Sequence, residues 1–352
     1  MKAIVFHGIN DVRLDEIDIP EINENEALLK VRAAALCGTD LRVKASGHRC
    51  IPENETRILG HEVAGLISKV GGKVKGLKEG MRVAVAPVSG CGVCRQCISG
   101  MQVFCSKDIV LGLSTSGGLA EYMVIPEPHI KGGNVFVMPD SMNFDVAAIV
   151  EPLATVFTGL SACEVKPADV VLVVGAGPVG LMHMQMAKVF GAQKVIVSEI
   201  LDERREMALK FGADRAVNPL KEDLKEIILN LSYGRGADAI IIAAASAEAQ
   251  SQSLDLVAIG GHINFFGTLP KGKDKVVIES NKIHYKNIKI LGTTGTTVLN
   301  YYKTMELLIS NKIDLSKFIS GRYDLDHYEE AFEAARSTRS LKIIFEIKTE
   351  LK

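Results

Sequence analysis

Four cysteines crowd into one short stretch, GCGVCRQCISGMQVFC, as Cys91, Cys94, Cys97 and Cys105 in the pattern C-x2-C-x2-C-x7-C. Thiolates are soft donors, and four so close in sequence can close a tetrahedron around Zn2+, the two-residue spacers letting the chain wrap the ion. Such a shell leaves no position for water or substrate. The predicted role is therefore structural, an ion replacing a core in a polar, glycine-containing lobe at about residues 88–106. Disulfides are one rival, and they conflict with a chain that opens without an export signal. An iron–sulfur cluster is the other, but the last gap is too long and no proline follows Cys105.

A second group is GAGPVG. Gly175, Gly177 and Gly180 form G-x-G-x-x-G directly after the apolar run VVLVV and ahead of a helix-like stretch. In that setting the first glycine permits a tight turn, the second lets the backbone approach a pyrophosphate, and the third lets helix and strand pack closely. Pro178 and Val179 then open a helix whose free N–H groups and positive end suit phosphates. Glu199 ends the next apolar run, VIVSE. A carboxylate there can accept hydrogen bonds from both adenine-ribose hydroxyls and repels a 2′-phosphate, so NAD is favoured over NADP. Arg204 either lies over the adenine or contacts a 2′-phosphate and softens that preference.

The third group is scattered: Cys37 in CGTD, His61 and Glu62 in GHE, and Glu151 in VEPLA. They supply one sulfur, one nitrogen and carboxylate oxygens, the mixed shell with an exchangeable position that catalytic zinc prefers. Composition alone does not assemble these pieces.

The elements that must position these groups change character along the chain. The first third alternates apolar and polar stretches broken by glycine turns, and reads as β-rich, with the N-terminal run as an edge strand. From EPLATVFTGLSACEV onward the pattern alternates. Strands VVLVVGAG, VIVSE, ADAIIIAAA, HINFFG and IKILGT are separated by helices LMHMQMAKVF, DERREMALKFG, KEDLKEIILNLS and AQSQSLDLVAIGG. That order predicts a parallel doubly wound sheet. The tail, with helices NYYKTMELLISNKI and HYEEAFEAARS and the strand SLKIIFEI, does not extend the alternation and is expected to rejoin the first domain. The predicted organisation is an α/β protein with a β-rich domain at 1–154 and 293–352 and a Rossmann domain at 155–292.

Several classes are disfavoured. The 352 residues exceed what one core usually serves, and 41 basic against 42 acidic residues suggest neither nucleic acid nor an anionic membrane. Tryptophan is absent, which disfavours base stacking on single strands. The uncharged stretch 170–187 is broken by GAGPVG and does not read as a membrane span. A cytoplasmic protein acting on a small molecule is expected.

CGTD, GHEVAG, the four-cysteine lobe, EPLA and GAGPVG occur in an order and at intervals that resemble the zinc-containing medium-chain dehydrogenases. The resemblance runs from Met1 to about Ile347 and is nearest to the sorbitol (polyol) and L-threonine dehydrogenase branch. It implies a GroES-like fold for the first domain, with one catalytic and one structural Zn2+. By the same resemblance, Cys37 and His61 hold the catalytic ion, with Glu62 and Glu151 as further ligands, direct or through water. Asp40 is implied to orient the His61 ring from behind, and Thr39 to hydrogen-bond the substrate oxygen and pass its proton on. Phe266, Gly267, Thr268, Thr293 and Thr294 would flank the nicotinamide. The implied reaction is hydride transfer from a secondary alcohol of a polyol to NAD+, giving NADH and a ketone, in a homo-oligomer, tetramer favoured over dimer.

Two departures bear on the substrate. Threonine dehydrogenases carry histidine where this chain has Arg42, and both branches carry an arginine near TTGTT, residues 293–297, that is missing here. Both count against L-threonine, which stays an alternative. Arg42, Lys44, His48 and Arg49 form a basic run that is either a solvated loop, the commoner case, or a recognition site for a sugar-alcohol phosphate. An inactive NAD-binding sensor is the alternative of another class, and intact Cys37, His61 and Glu62 speak against it.

Overall fold

In the first third, short β-forming runs separated by glycine and polar turns pair antiparallel and bury one face. The computed structural model describes residues 1–348, arranged as two units: Met1–Pro152 with the tail from Thr296, and Leu153–Gly295. In the first unit a seven-stranded sheet runs in the order Val135–Val137, Arg82–Val85, Glu62–Val70, Ala27–Ala35, Lys342–Glu346, Ile319–Tyr323, with Tyr122–Ile125 also paired to Ala27–Ala35. Its core gathers Leu29, Val31, Ile67, Val83, Met123, Ile125 and Phe345. The tail strand Lys342–Glu346 thus lies beside one of the earliest strands, antiparallel, with Ile344 opposite Ala35. On the other side of Ala27–Ala35, Ala35 pairs with Glu62. This register brings the start of the Glu62 strand, the end of the Ala35 strand and the start of the Lys342 strand to one edge.

The N-terminal run is a correction to the sequence reading. Lys2–Gly8 is the middle strand of a three-stranded sheet, between Asp11–Glu16 and Arg57–Ile58, and is not an edge. The burial of Ile4, with no exposed surface, explains why a later segment is recruited to cover it.

In the second unit the continuous apolar runs form a six-stranded parallel sheet. In chain order its strands are Val170–Val174, Lys194–Ser198, Arg215–Val217, Ala237–Ile242, Val257–Phe265 and Lys289–Gly292. Across the sheet they lie third, second, first, fourth, fifth, sixth. That is the dinucleotide-binding order, with its switch point between Val170–Val174 and Ala237–Ile242. Val171, Leu172, Ile196, Ile240 and Ile263 have no exposed surface, as strands covered on both faces require. The stretch read as one helix, AQSQSLDLVAIGG, divides: the helix Ala247–Leu256 stops and Val257 begins the fifth strand. The strand is irregular there, its register slipping between Ala237 and Ala239 of its partner, with Ile259 80% exposed and Gly260 at φ +75°. Gly260–Gly261 absorb the irregularity, and the same glycines mimic a helix stop. Among the described residues no helix is long and apolar enough to cross a membrane.

Candidate functional site

The four cysteines of the lobe converge. Their sulfurs all lie within 4.8 Å of one another, with Cys94 3.5 Å from Cys97 and 3.8 Å from Cys105. Four thiolates at Zn–S distances near 2.3 Å stand about 3.8 Å apart, and a disulfide would need about 2.05 Å. The spacing fits an ion. The turn Arg95–Ile98, capped at Cys94, carries the middle pair, and the backbone N–H groups of Cys91 and Lys107 donate to the Cys105 sulfur. N–H groups of Val93 and Cys94 directed at Cys91 pull its thiol down to about 6, into the thiolate form a metal takes.

A second donor set forms at the sheet edge described above. Cys37 ends the chain segment after Ala27–Ala35 and caps the helix Gly38–Ser46; His61 immediately precedes the strand Glu62–Val70. The donor atoms of Cys37, His61 and Glu62 lie within 4.8 Å of one another, although 23 residues lie between Cys37 and His61 in the chain. Burial alone would lower the His61 pKa; the negative charges of Cys37, Asp40 and Glu151 outweigh it and raise it well above the ordinary value. His61 Nδ1 is buried with no hydrogen-bond partner. An orphaned imidazole nitrogen among four acidic groups fits a divalent cation, and the sulfur–nitrogen–carboxylate donors fit zinc.

Glu151 is not part of this triad. It stands at the start of the helix Val150–Ala162, facing a void of about 10 Å3 lined by Asn134, Thr296 and Thr297. Burial and the neighbouring Glu62 push its carboxyl up to about 7, against the pull of His61 and Lys342.

Asp40 works differently from the expected ring partner. Its Oδ1 is 3.9 Å from His61 Nδ1, beyond hydrogen-bond reach. Fully buried, it accepts instead from the backbone N–H of Cys37 (2.9 Å) and of Gly60 (3.2 Å). It therefore ties together the two segments that carry the sulfur and nitrogen donors. Thr39 accepts a hydrogen bond at Oγ1 from Arg42 Nη2, 3.1 Å away. A guanidinium has no acceptor, so the Thr39 proton has no path into Arg42.

Two residues not singled out in the sequence complete the surroundings. Lys342, 4% exposed, donates to Glu62 Oε1 (2.7 Å) and to the Leu36 carbonyl (2.8 Å), and its Nζ is 2.6 Å from Glu62 Oε2. Burial alone would lower its pKa; the charges of Glu62 and Cys37 raise it instead, and it stays cationic. For Glu62 burial dominates and raises the pKa despite Lys342. The signal was a lysine inside the otherwise apolar run LKIIF. The other is Tyr301, fully buried and stacked 4.3 Å from Phe136, its hydroxyl held well above its ordinary value by burial and by Glu151 and Glu62.

In the second unit the glycine loop follows Val170–Val174 and the helix Pro178–Val189 starts at Gly177. Gly175 has φ +98°, and a Cβ on Gly180 would sit 1.9 Å from the Gly175 carbonyl. A Cβ on Gly177 would meet nothing nearer than Arg204 Nη1 at 3.5 Å, so this backbone stays approachable and Arg204 lies over it. Gly180→Ala is expected to cost about 1–3 kcal/mol, as overpacking does, read as a lower urea midpoint; an unchanged midpoint would contradict the contact. Glu199 is nearly buried and accepts from Ala176 N (2.8 Å) and Leu201 N (3.0 Å), fixing the carboxylate beside the loop with lone pairs to spare. Val179 accepts from His183 Nδ1 (2.9 Å), and His183 meets the ring of Phe266 at 4.5 Å. Gly267 packs where a Cβ would lie 2.7 Å from the Ala244 carbonyl, and Thr293 accepts from Asn264 Nδ2 (2.9 Å). Thr268 and Thr294 follow these two positions at the same strand ends.

Residues 23–152 match the alcohol dehydrogenase GroES-like domain, and residues 178–310 the zinc-binding dehydrogenase domain. L-threonine 3-dehydrogenase of Pyrococcus horikoshii is 35% identical over 342 residues, 95% of each chain. Galactitol-1-phosphate dehydrogenase of Escherichia coli has a similar structure, with TM-score 0.88 at 26% identity, covering 98% of this chain and 100% of that one. An Escherichia coli short chain alcohol dehydrogenase complexed with NADH gives TM-score 0.89 at 28% identity, covering 98% and 99%. A likeness of this size across nearly the whole of both sequences leaves one conclusion: this chain belongs to the zinc-binding medium-chain dehydrogenases, in the branch of the sorbitol and threonine enzymes.

Proposed function

We propose that the protein oxidises a secondary alcohol of a polyol or sugar alcohol to the ketone, passing hydride to NAD+, with Cys37, His61 and a carboxylate of Glu62 or Glu151 holding the catalytic zinc. The observation that carries this reading is the convergence of Cys37, His61 and Glu62 donors within 4.8 Å, with the Thr39 hydroxyl two residues from the sulfur. When bound, zinc supplies Lewis-acid polarisation, which lowers the pKa of an alcohol oxygen. Thr39 Oγ1 takes the alcohol proton: Arg42 occupies one of its lone pairs, leaving the other to accept and its own O–H to donate onward. Asp40 keeps the Cys37 and His61 segments in register, and the Lys342 ammonium donates to Glu62 Oε1 and favours its charged form against the effect of burial. In the second unit Gly177 and the helix N-terminus offer the diphosphate its N–H groups, and Glu199 receives the ribose hydroxyls and disfavours a 2′-phosphate. The overall change is alcohol plus NAD+ to ketone, NADH and a proton.

L-Threonine is a second reading, favoured by the 35% identical relative and opposed by Arg42 and by the arginine missing near residues 293–297. Assembly as a homotetramer is part of the proposal; exposed Val93, Ile98 and Phe104 on the four-cysteine lobe support self-association, which light scattering tests. The functional test is NAD+ reduction followed at 340 nm over polyols, polyol phosphates, L-threonine and simple secondary alcohols, with and without 1,10-phenanthroline. Turnover with a polyol or its phosphate, abolished by chelator, is expected. Protein holding two zincs per chain that reduces NAD+ with none of these alcohols would sink the proposal in favour of a sensor.

A further inference from the structure

The parallel sheet of the second unit carries an amide where its strands are otherwise apolar. Asn264 lies in Val257–Phe265, between Ile263 and Phe265, and has no exposed surface. A buried amide is costly unless its donors are used, and here both are. Asn264 Nδ2 donates to the Gly159 carbonyl (3.1 Å) and to Thr293 Oγ1 (2.9 Å). The Thr293 hydroxyl can turn back on Asn264 Oδ1 at 3.3 Å. The Cys163 thiol meets the same amide; burial pushes it up to about 12, so it brings no charge. Gly159, in the helix Val150–Ala162, is the centre of the arrangement. A Cβ there would lie 3.0 Å from His183 Nε2 and 3.1 Å from the Phe266 ring, so two rings fill the space a side chain would take. They meet edge to face at 80°. His183 is fully buried. Its Nδ1 donates to the Val179 carbonyl in the first turn of the glycine-loop helix, and its Nε2 has no hydrogen-bond partner. Burial lowers its pKa to about 4, so the ring is neutral.

We propose that Asn264, Gly159 and His183 are positioning residues for the nicotinamide end of the cofactor. This rests on the reading that Phe266 and Thr293 flank the nicotinamide. The three residues act from behind those two. Asn264 holds the Thr293 hydroxyl in one place, and the Phe266 ring is clamped over Gly159 against His183. Through Val179, His183 also ties this cluster to the turn that meets the diphosphate. Both nicotinamide-flanking strand ends and the diphosphate helix are thus fixed by one buried group of side chains. Hydride transfer needs the ring carbon within a narrow range of distance and angle. Segments ordered before binding spare the cofactor the cost of ordering them. An apolar residue at position 264 would leave Thr293 and the Gly159 carbonyl without this donor.

The test separates the two ends of the cofactor. The zinc-loaded protein is titrated calorimetrically with NADH and with ADP-ribose, which keeps the adenosine and diphosphate but lacks the nicotinamide. Wild type is compared with Asn264→Leu, Gly159→Ala, His183→Leu and Thr293→Val. In Asn264→Leu, NADH is expected to bind about 5- to 10-fold more weakly, the size of one lost buried hydrogen bond, while ADP-ribose binds as before. Gly159→Ala should do the same by displacing the Phe266 ring, and His183→Leu should weaken NADH severalfold. Asn264→Leu combined with Thr293→Val should bind NADH no more weakly than the worse single variant, because both act through one bond. Should Asn264→Leu fail to fold, seen as lost ADP-ribose binding, Gly159→Ala and His183→Leu carry the same comparison. Unchanged NADH binding in these variants, or an equal loss for NADH and ADP-ribose, would overturn the inference and leave the cofactor reading standing. A wild type that binds ADP-ribose as tightly as NADH would show that the nicotinamide gains nothing from this site, and then the placement at Phe266 and Thr293 falls first and the inference with it.

Discussion

Replacing His61 by alanine is expected to lower kcat/KM about a thousandfold or more and to cut the zinc content from two ions per chain to one. Removing one donor from a three- or four-ligand open site releases the ion, and polarisation of the alcohol oxygen is worth several kcal/mol of barrier. The four thiolates of the lobe form a closed shell that does not share His61, so that ion stays. Metal analysis by mass spectrometry alongside steady-state kinetics checks both halves. Chelator should reproduce the effect in the wild type before the lobe loses its ion, because an open site exchanges ligands and a closed one does not. Two retained zincs with undiminished turnover in His61→Ala would remove imidazole ligation from the mechanism.

The second large effect is expected at Lys342. Lys342→Met removes the cation within 2.7 Å of a carboxylate that has no exposed surface. Breaking a buried pair from one side costs about 3–5 kcal/mol, because the remaining charge is uncompensated; removing both partners costs much less. Glu62→Gln combined with Lys342→Met should therefore recover most of the stability without recovering activity. The pH dependence has a definite sign. Glu62 already has a folded pKa above its unfolded value, raised by burial, and losing Lys342 raises it further. A carboxyl of that kind favours the fold at pH below its unfolded value and loses that contribution as pH rises through the folded value. The gap in urea midpoint between Lys342→Met and wild type should thus narrow on going from pH 8 to pH 5. A gap that is constant with pH, or a double variant as unstable as the single, would show that packing and not charge is what Lys342 provides.

Lys342 also shows where sequence reading stopped. It lies 280 residues from Glu62. Only the pairing of the tail strand with Ala27–Ala35, itself paired with Glu62–Val70, puts the two together. A lone lysine in an apolar run signals that a buried partner exists but not which residue it is. Asp40 was expected to orient the His61 ring, and it lies 3.9 Å from it. Its actual bonds, to backbone N–H groups of two separate segments, depend on a distance of a few tenths of an ångström that no motif encodes. The helix assigned through AIGG failed for a local reason: glycines end helices and loosen strands alike, and the sheet partner decides between them.

By itself the sequence determined what short-range chain geometry can close: four thiols at two- and seven-residue spacings, a strand–glycine–helix turn with an acid after the next strand, and the alternation that forces a parallel sheet. These need only a few residues of backbone, so spacing is nearly sufficient. The tertiary structure decided everything that needs two strands from distant parts of the chain to lie side by side: the meeting of Cys37 with His61 and the ion pair under Glu62. Hydrophobic burial chooses those neighbours by matching whole faces, and single polar residues are carried along to wherever the register leaves them.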